Sequence, residues 1–403
     1  MRKFPKRNII IPKKELISIP RILFEPSSKK SQYVTDFEIK FKEYLNANDS
    51  IAVSSGRTAL NLIIDSYSIE KGSEILLCAY NFIGVPESLL KKGFIPVFVE
   101  ADKNTYQIDI NDIERKISNK TKAIIITHLF GHLTDIDAIK PIAQKHNILI
   151  IEDAAQALGS SHKDRFAGTI SDIGFFSFTG SKPLNTSFGG MIVTRSLGQS
   201  KIIRQQLSML PETSTAEALS SRLRTYLYAL ATNKHFYSYV LYPLTILFDK
   251  FNIDILEKYK IIDRSITKLP NNRLNYIQAF IGLNQMDHIS SLLEQRRGFG
   301  NKLISMLDIS ISTQSILENS EPCYFMLPLK SKDKTIAYKK LLAFGIDANL
   351  SYAQDCSFLT NSNNPMSKFL SDHILTINLP FDLKEEEVAY IADSINGIKE
   401  FLE

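Results

Sequence analysis

The run Ile148, Leu149, Ile150, Ile151 stops at two carboxylates, Glu152 and Asp153, and no other stretch restricts the fold of this chain so tightly. Apolar residues in succession, without alternation, read as a short strand buried on both faces, the kind found inside a parallel sheet covered by helices. Such a strand delivers whatever follows it to the sheet's carboxyl edge, where open α/β sheets bind ligands. Asp153 is expected at that edge. A second apolar run, Ile173 to Phe178, ends in Thr179, Gly180, Ser181 and Lys182. The loop after it brings a lysine amine close to the aspartate. An acid and an amine converging there point to a carbonyl cofactor.

The chemistry makes the pair specific. A lysine amine forms a Schiff base with pyridoxal phosphate, which becomes an electron sink when a carboxylate keeps its ring nitrogen protonated. Lys182 and Asp153 are the candidates. Taken singly, each also reads as an ordinary solvated charge on a loop, so the surrounding pattern decides. The segments EDAAQALG, DIGFFSFTGSKPLNTSFGGMIVT and HLFGHLTDIDAI resemble the DegT/DnrJ/EryC1/StrS family of sugar aminotransferases. The resemblance implies an α/β protein of the pyridoxal-phosphate-dependent transferase fold type I. Its large, mainly parallel sheet has seven strands flanked by helices, and a smaller α+β C-terminal domain follows. It further implies that Asp153 pairs with the pyridinium, Gln156 lies near the ring hydroxyl, Ser177 contacts the phosphate and Lys182 carries the Schiff base. One departure stands out. Where the family has Gly and Glu before paired glycines, this chain has Ser187 and Phe188 before Gly189 and Gly190, which alters a pocket wall.

Upstream, a strand from Ser50 to Val53 runs into SSGRTAL, and Gly56 opens a helix. Backbone N–H groups at a helix start, helped by the helix dipole, attract an anion; Ser and Gly there also serve simply as caps. The resemblance gives Gly56 and Arg57 the cofactor phosphate. Arg57 replaces a usual threonine, and its guanidinium can hold that phosphate or reach for a substrate anion. After the strand Glu74 to Ala79, the resemblance places an aromatic residue on the pyridine ring, with Phe82 the best match and Tyr80 the fallback. His128, which begins HLFGH, reads as a structural hydrogen-bonding group near the site. In LPNNRLNYIQAF, Asn271 and Arg273 match a family segment whose asparagine reaches the cofactor phosphate of the neighbouring subunit, which implies a homodimer with shared active sites. Ser351 and Tyr352 stand where a His-Tyr pair is usual, so substrate recognition is expected to differ.

At 403 residues, 44% hydrophobic and 23% charged, the chain has the composition of a globular protein with a large core. Its net charge of +5 is dispersed, which suits a small anionic substrate but reads first as a neutral surface choice, and it gives no nucleic-acid-binding block. Three widely separated cysteines without a CxxC spacing indicate no metal site. The N-terminus is basic, but Pro12 and two lysines break its apolar run, so it reads as no signal peptide and the protein as cytoplasmic. Residues 1–34 read as an extended N-terminal arm in which Pro5, Pro12, Pro20 and Pro26 oppose any long helix, with a helix following from Asp36 to Leu45. Residues 35–270 form the large cofactor-binding domain, with a helical insert at about 196–268, and residues 271–403 the small C-terminal domain, whose final helix is capped near Asp382. Within the insert, the apolar stretch 235–252 is interrupted by Pro243 and too short to span a bilayer. It fits a buried helix pair, a subunit contact or a peripheral membrane element.

The expected activity is transfer of an amino group from an amino acid, glutamate first, to a keto- or aldehydo-sugar, nucleotide-linked, as in polysaccharide biosynthesis. Two rivals remain. Related sugar dehydratases carry histidine in place of the Schiff-base lysine, which Lys182 opposes. A non-catalytic regulator or assembly protein retaining the fold is suggested by the insert and by Ser187, Phe188 and Ser351.

Overall fold

The computed structural model describes residues 2–9, 11–249 and 271–403. Seven strands, β1 (Asp49–Val53), β2 (Glu74–Cys78), β3 (Ile95–Val99), β4 (Thr121–Thr127), β5 (Leu149–Asp153), β6 (Ile173–Ser177) and β7 (Gly190–Thr194), form one sheet in the order β1-β7-β6-β5-β4-β2-β3. Strand β7 is antiparallel to β1 and β6, and the other pairings are parallel. The carboxyl ends of the six co-directional strands therefore share one edge with the start of β7. Neighbouring strand residues enter opposite cores: Ile151, Phe175 and Ile192 one, Ile150, Phe176 and Met191 the other. Burial on both faces explains why these strands read as unbroken apolar runs.

Helix α1 (Lys13–Ile22) and α2 (Ser27–Leu45) lie in the segment expected to be extended, and α2 starts at Ser27 rather than Asp36. Pro12 and Pro26 directly precede the first helical residues, where a missing N–H costs no helical hydrogen bond. Pro20 falls near the end of α1 with its ring exposed. Ile19 and Ile22 beside it are buried against Ile277 and Ile281, a tertiary gain that outweighs the local preference. Ahead of α1, the Phe4 N–H donates to the Gly345 carbonyl (2.7 Å) and Phe4 O accepts from the Asp347 N–H (2.8 Å). The first residues are thus fastened to the far end of the chain.

Helices α3 (Gly56–Ser66) and α4 (Gly84–Lys92) follow β1 and β2. The insert contains α5 (Leu197–Ser208), α6 (Thr215–Ala231) and α7 (Tyr242–Asp249); its part from residue 250 on, with the last residues of the 235–252 stretch, lies outside the described residues. On α6, Leu223, Leu227 and Leu230 are exposed at helical spacing. Among the described residues no helix is long and apolar enough to cross a membrane.

Helices α8 (Tyr276–Met286) and α9 (Ile289–Ser305) lead to a second, two-stranded sheet of β8 (Met326–Lys330) against β9 (Ile374–Asn378). Its core joins Leu327 and Ile377 to Leu341 of α10 (Lys334–Phe344) and Ile391 of α11 (Glu385–Asn396). Asp382 does not cap α11. Lys384 precedes the helix and its N–H donates to Glu387 (2.9 Å), while Asp382 pairs with Arg2 (2.8 Å). A long-range ion pair takes the carboxylate that local spacing assigned to the cap.

Candidate active site

The carboxyl ends of β1, β5 and β6 meet at a cavity of about 220 Å³, lined among others by Gly56, Arg57, Phe82, Asp153, Gln156, Ser177 and Lys182. At the end of β1, the Ser55 hydroxyl accepts the Thr58 N–H (3.1 Å) and caps α3. Gly56 and Arg57 therefore occupy the first turn, whose N–H groups have no helical acceptor. A Cβ on Gly56 would stand 3.1 Å from the Ser177 Cβ, so the helix start and the end of β6 approach as closely as glycine permits. The Ser177 and Thr179 hydroxyls are 3.2 Å apart, and Lys182 Nζ donates to Thr179 at 3.4 Å.

Asp153 ends β5 opposite Phe175 of β6, buried, with its carboxylate accepting the Ala155 N–H at 3.0 Å. Burial raises its pKa, while the backbone donor and the Lys182 charge pull the other way. Desolvation pushes the Lys182 amine down to about 8; Asp153 opposes that shift and Arg7 adds to it. Gln156 is buried, and its Oε1 accepts the N–H of Phe130 at 2.8 Å. Phe82 faces the cavity, whereas Tyr80, the fallback ring, lies in the core with Phe130. His128 is fully buried against Glu152 (3.1 Å), which also accepts the Gly168 N–H (2.7 Å). It braces the strand ends. Asn271 is exposed and is not among the residues lining the cavity.

The cavity also uses residues that the sequence did not single out. Arg7 and Ile9 of the N-terminal segment, and Ser221, Arg224, Thr225 and Tyr228 of α6, form part of its wall; Ser187, Phe188 and Tyr352, which the sequence did mark, line it too. Ser187 adopts a left-handed backbone (φ 74°), and its hydroxyl accepts from Thr225 at 2.8 Å. The familiar Gly-Glu is thus replaced by a loop residue bonded to the insert. Among the described residues, four cationic side chains, Arg7, Arg57, Arg224 and Lys182, face a single carboxylate, Asp153. Burial lowers the Arg57 pKa, and its Nη2 is buried without a hydrogen-bond partner among the described residues.

An amine and a carboxylate at the carboxyl edge of a mostly parallel seven-stranded sheet accompany an α/β architecture of the pyridoxal-phosphate-dependent transferase fold type I. A solved sugar aminotransferase from Micromonospora echinospora matches 98% of this chain and 99% of its own, with a TM-score of 0.76 at 19% identity. The GDP-4-keto-6-deoxy-D-mannose-3-dehydratase of Escherichia coli, solved with bound hydrated pyridoxal phosphate, matches 98% of this chain and 100% of its own, with a TM-score of 0.75 at 19% identity. These likenesses are of fold. The chain belongs to the DegT/DnrJ/EryC1/StrS aminotransferase family, whose profile matches residues 14–223. GDP-perosamine synthase of Escherichia coli O157:H7 is 40% identical over 167 residues, 41% of this chain and 46% of that protein. That match spans less than half of the relative's length.

Proposed function

We propose that this chain is a pyridoxal-phosphate-dependent aminotransferase that moves an amino group from glutamate to a keto- or aldehydo-sugar carrying a nucleotide. The observation that carries this reading is the cavity in which Lys182, Asp153, Ser177 and the start of α3 converge. The residues fit the cofactor. Free N–H groups of the first turn of α3, with the Ser177 and Thr179 hydroxyls, would hold a phosphate. Lys182 would hold the aldehyde, Asp153 the ring nitrogen, Gln156 the ring hydroxyl and Phe82 the ring face.

Bound there, pyridoxal phosphate supplies an electron sink for the pair left when a Cα–H bond of the amino acid breaks. The chain's own groups do the rest. Asp153, whose ionisation burial disfavours, gains most from a cationic partner in the same dry pocket. The Lys182 amine, with a pKa of about 8, exchanges its proton readily near neutral pH, as a group that alternately accepts and returns a proton must. The surplus of cations supports an anionic acceptor: the phosphate takes the backbone donors, which leaves the Arg57 guanidinium, Arg7 and Arg224 for a diphosphate. The resemblance, not the cavity, gives the homodimer: in it Asn271, exposed on its own chain, would serve a neighbouring site. Against a dehydratase stands Lys182, where such relatives carry histidine.

The test is direct. Purified protein saturated with pyridoxal phosphate should absorb in the visible, and borohydride should fix the cofactor at Lys182 in a peptide map. Glutamate alone should then give no more 2-oxoglutarate than there is bound cofactor to take the amino group, and sustained turnover only when a nucleotide-linked keto-sugar is also present. A colourless protein with no labelled peptide would sink the proposal.

A further inference from the structure

We infer that Glu15 and Arg222 are positioning residues that set the loop carrying Lys182, an inference that rests on Lys182 being the cofactor's anchor. Between the ends of β6 and β7 the chain carries Lys182, Asn185, Ser187 and Phe188. Asn185 is gripped from α8: its N–H donates to Gln285 Oε1 and its carbonyl accepts from Gln285 Nε2, both at 2.8 Å. Its side-chain amide donates to the Gly180 carbonyl, and its Oδ1 accepts the Ser187 N–H (2.8 Å). Asn185 thus closes the loop around Lys182 from both sides.

Arg222 of α6 holds the outer side of that loop. Its Nη1 reaches the Asn185 carbonyl (3.2 Å), Asn185 Oδ1 (3.3 Å) and Ser187 Oγ (3.4 Å). Its other nitrogens, Nε and Nη2, form a two-point pair with the carboxylate of Glu15 on α1, with Nη2 to Oε2 at 2.6 Å. Tyr226 donates to the same carboxylate (2.8 Å). Only 4% of Glu15 and 2% of Arg222 is exposed. Neither lines the cavity, while Ser221 and Thr225, which flank Arg222 on α6, do.

Burying such a pair is weak support for stability, because apolar residues of similar size usually do as well. What an apolar pair lacks is the third contact. A planar guanidinium presents donors on two sides, so one edge satisfies Glu15 while the other fixes the loop. A lysine offers a single point and cannot do both. Helix α1, helix α6 and the loop at Ser187 thereby act together to hold Asn185 and Ser187 so that the lysine between Gly180 and Asn185 has one reach into the cavity.

The experiment compares full-length protein with Arg222→Lys and with the paired replacement Glu15→Met/Arg222→Met, which leaves no orphaned charge. After a melt shows each variant folded, three quantities are read: hydrogen exchange of residues 183–188, the pH at which the lysine-bound cofactor's visible band changes, and kcat and KM for glutamate. Expected are exchange faster by about tenfold, a displaced spectral transition, and a kcat lower by about tenfold with KM within about threefold. Folded variants with unchanged exchange and an unchanged transition overturn the inference. If Arg222→Lys does not fold, the paired variant decides alone. If wild-type protein forms no coloured adduct, the functional reading has failed, and loop exchange alone decides the positioning role.

Discussion

Replacing Lys182 with methionine in cofactor-free protein should change stability in a manner set by pH. The amine's pKa falls from 10.5 in the unfolded chain to about 8 in the fold, because burial removes its water. Below pH 8 both states hold the proton, and the folded protein bears the cost of a buried ammonium. Between 8 and 10.5 only the unfolded chain keeps it, so wild-type stability rises with pH; above 10.5 neither does. One unit is worth about 1.4 kcal/mol, so the window spans about 3 kcal/mol, reduced to about 2 to 3 by screening at the cavity mouth. At pH 7 the methionine variant should therefore gain on wild type, less whatever Asp153 loses when its cation goes. Urea unfolding of both proteins from pH 7 to 10 isolates the effect, since other titrating groups are common to both chains. The difference should shift in favour of wild type by about 2 kcal/mol or more across the window. Parallel curves would mean that the amine is not desolvated and that its readiness to trade protons has another source.

Three further substitutions probe separate parts of the cavity. Gly56→Ala places a Cβ 3.1 Å from the Ser177 Cβ; alanine favours the helix by about 1 kcal/mol, so melting should change little while cofactor affinity, read by dialysis and absorbance, falls about tenfold or more. Asp153→Asn keeps the shape and removes the charge: kcat for glutamate should fall at least about a hundredfold with the cofactor still bound, and a loss under about fivefold would contradict its role as ring partner. Arg57→Gln should raise KM for a nucleotide-linked acceptor about tenfold while leaving cofactor retention within about threefold; the reverse pattern would assign the guanidinium to the cofactor phosphate.

The difference between what the sequence disclosed and what it concealed follows from the range of the forces involved. Asp153 was legible because it ends an apolar run buried on both faces, which must deliver its last residue to the sheet edge, and Lys182 because it follows the next such run by a short loop; that logic is local and survives into β5 and β6. Gly56 was legible as the residue opening a helix after β1, whereas Ser177, which closes β6, was marked only through the family resemblance. The arm was misread because proline's cost depends on position. Pro12 and Pro26 stand where no helical N–H is needed, and burial of Ile19 and Ile22 carries α1 past Pro20. Glu15 and Arg222 gave no signal at all: each sits in an ordinary helical pattern, separated by 207 positions, and only the fold makes them a buried pair. Their local sequence would read as two solvated charges. Arg7 illustrates the same point, since nothing in its neighbourhood marks it for a cavity whose other walls include α3, α4, the ends of β5 and β6, and α6. Chemistry placed by strand ends can be read along the chain. Chemistry placed by segments that return from far away cannot, and Arg7 and the α6 wall of this cavity are of that second kind.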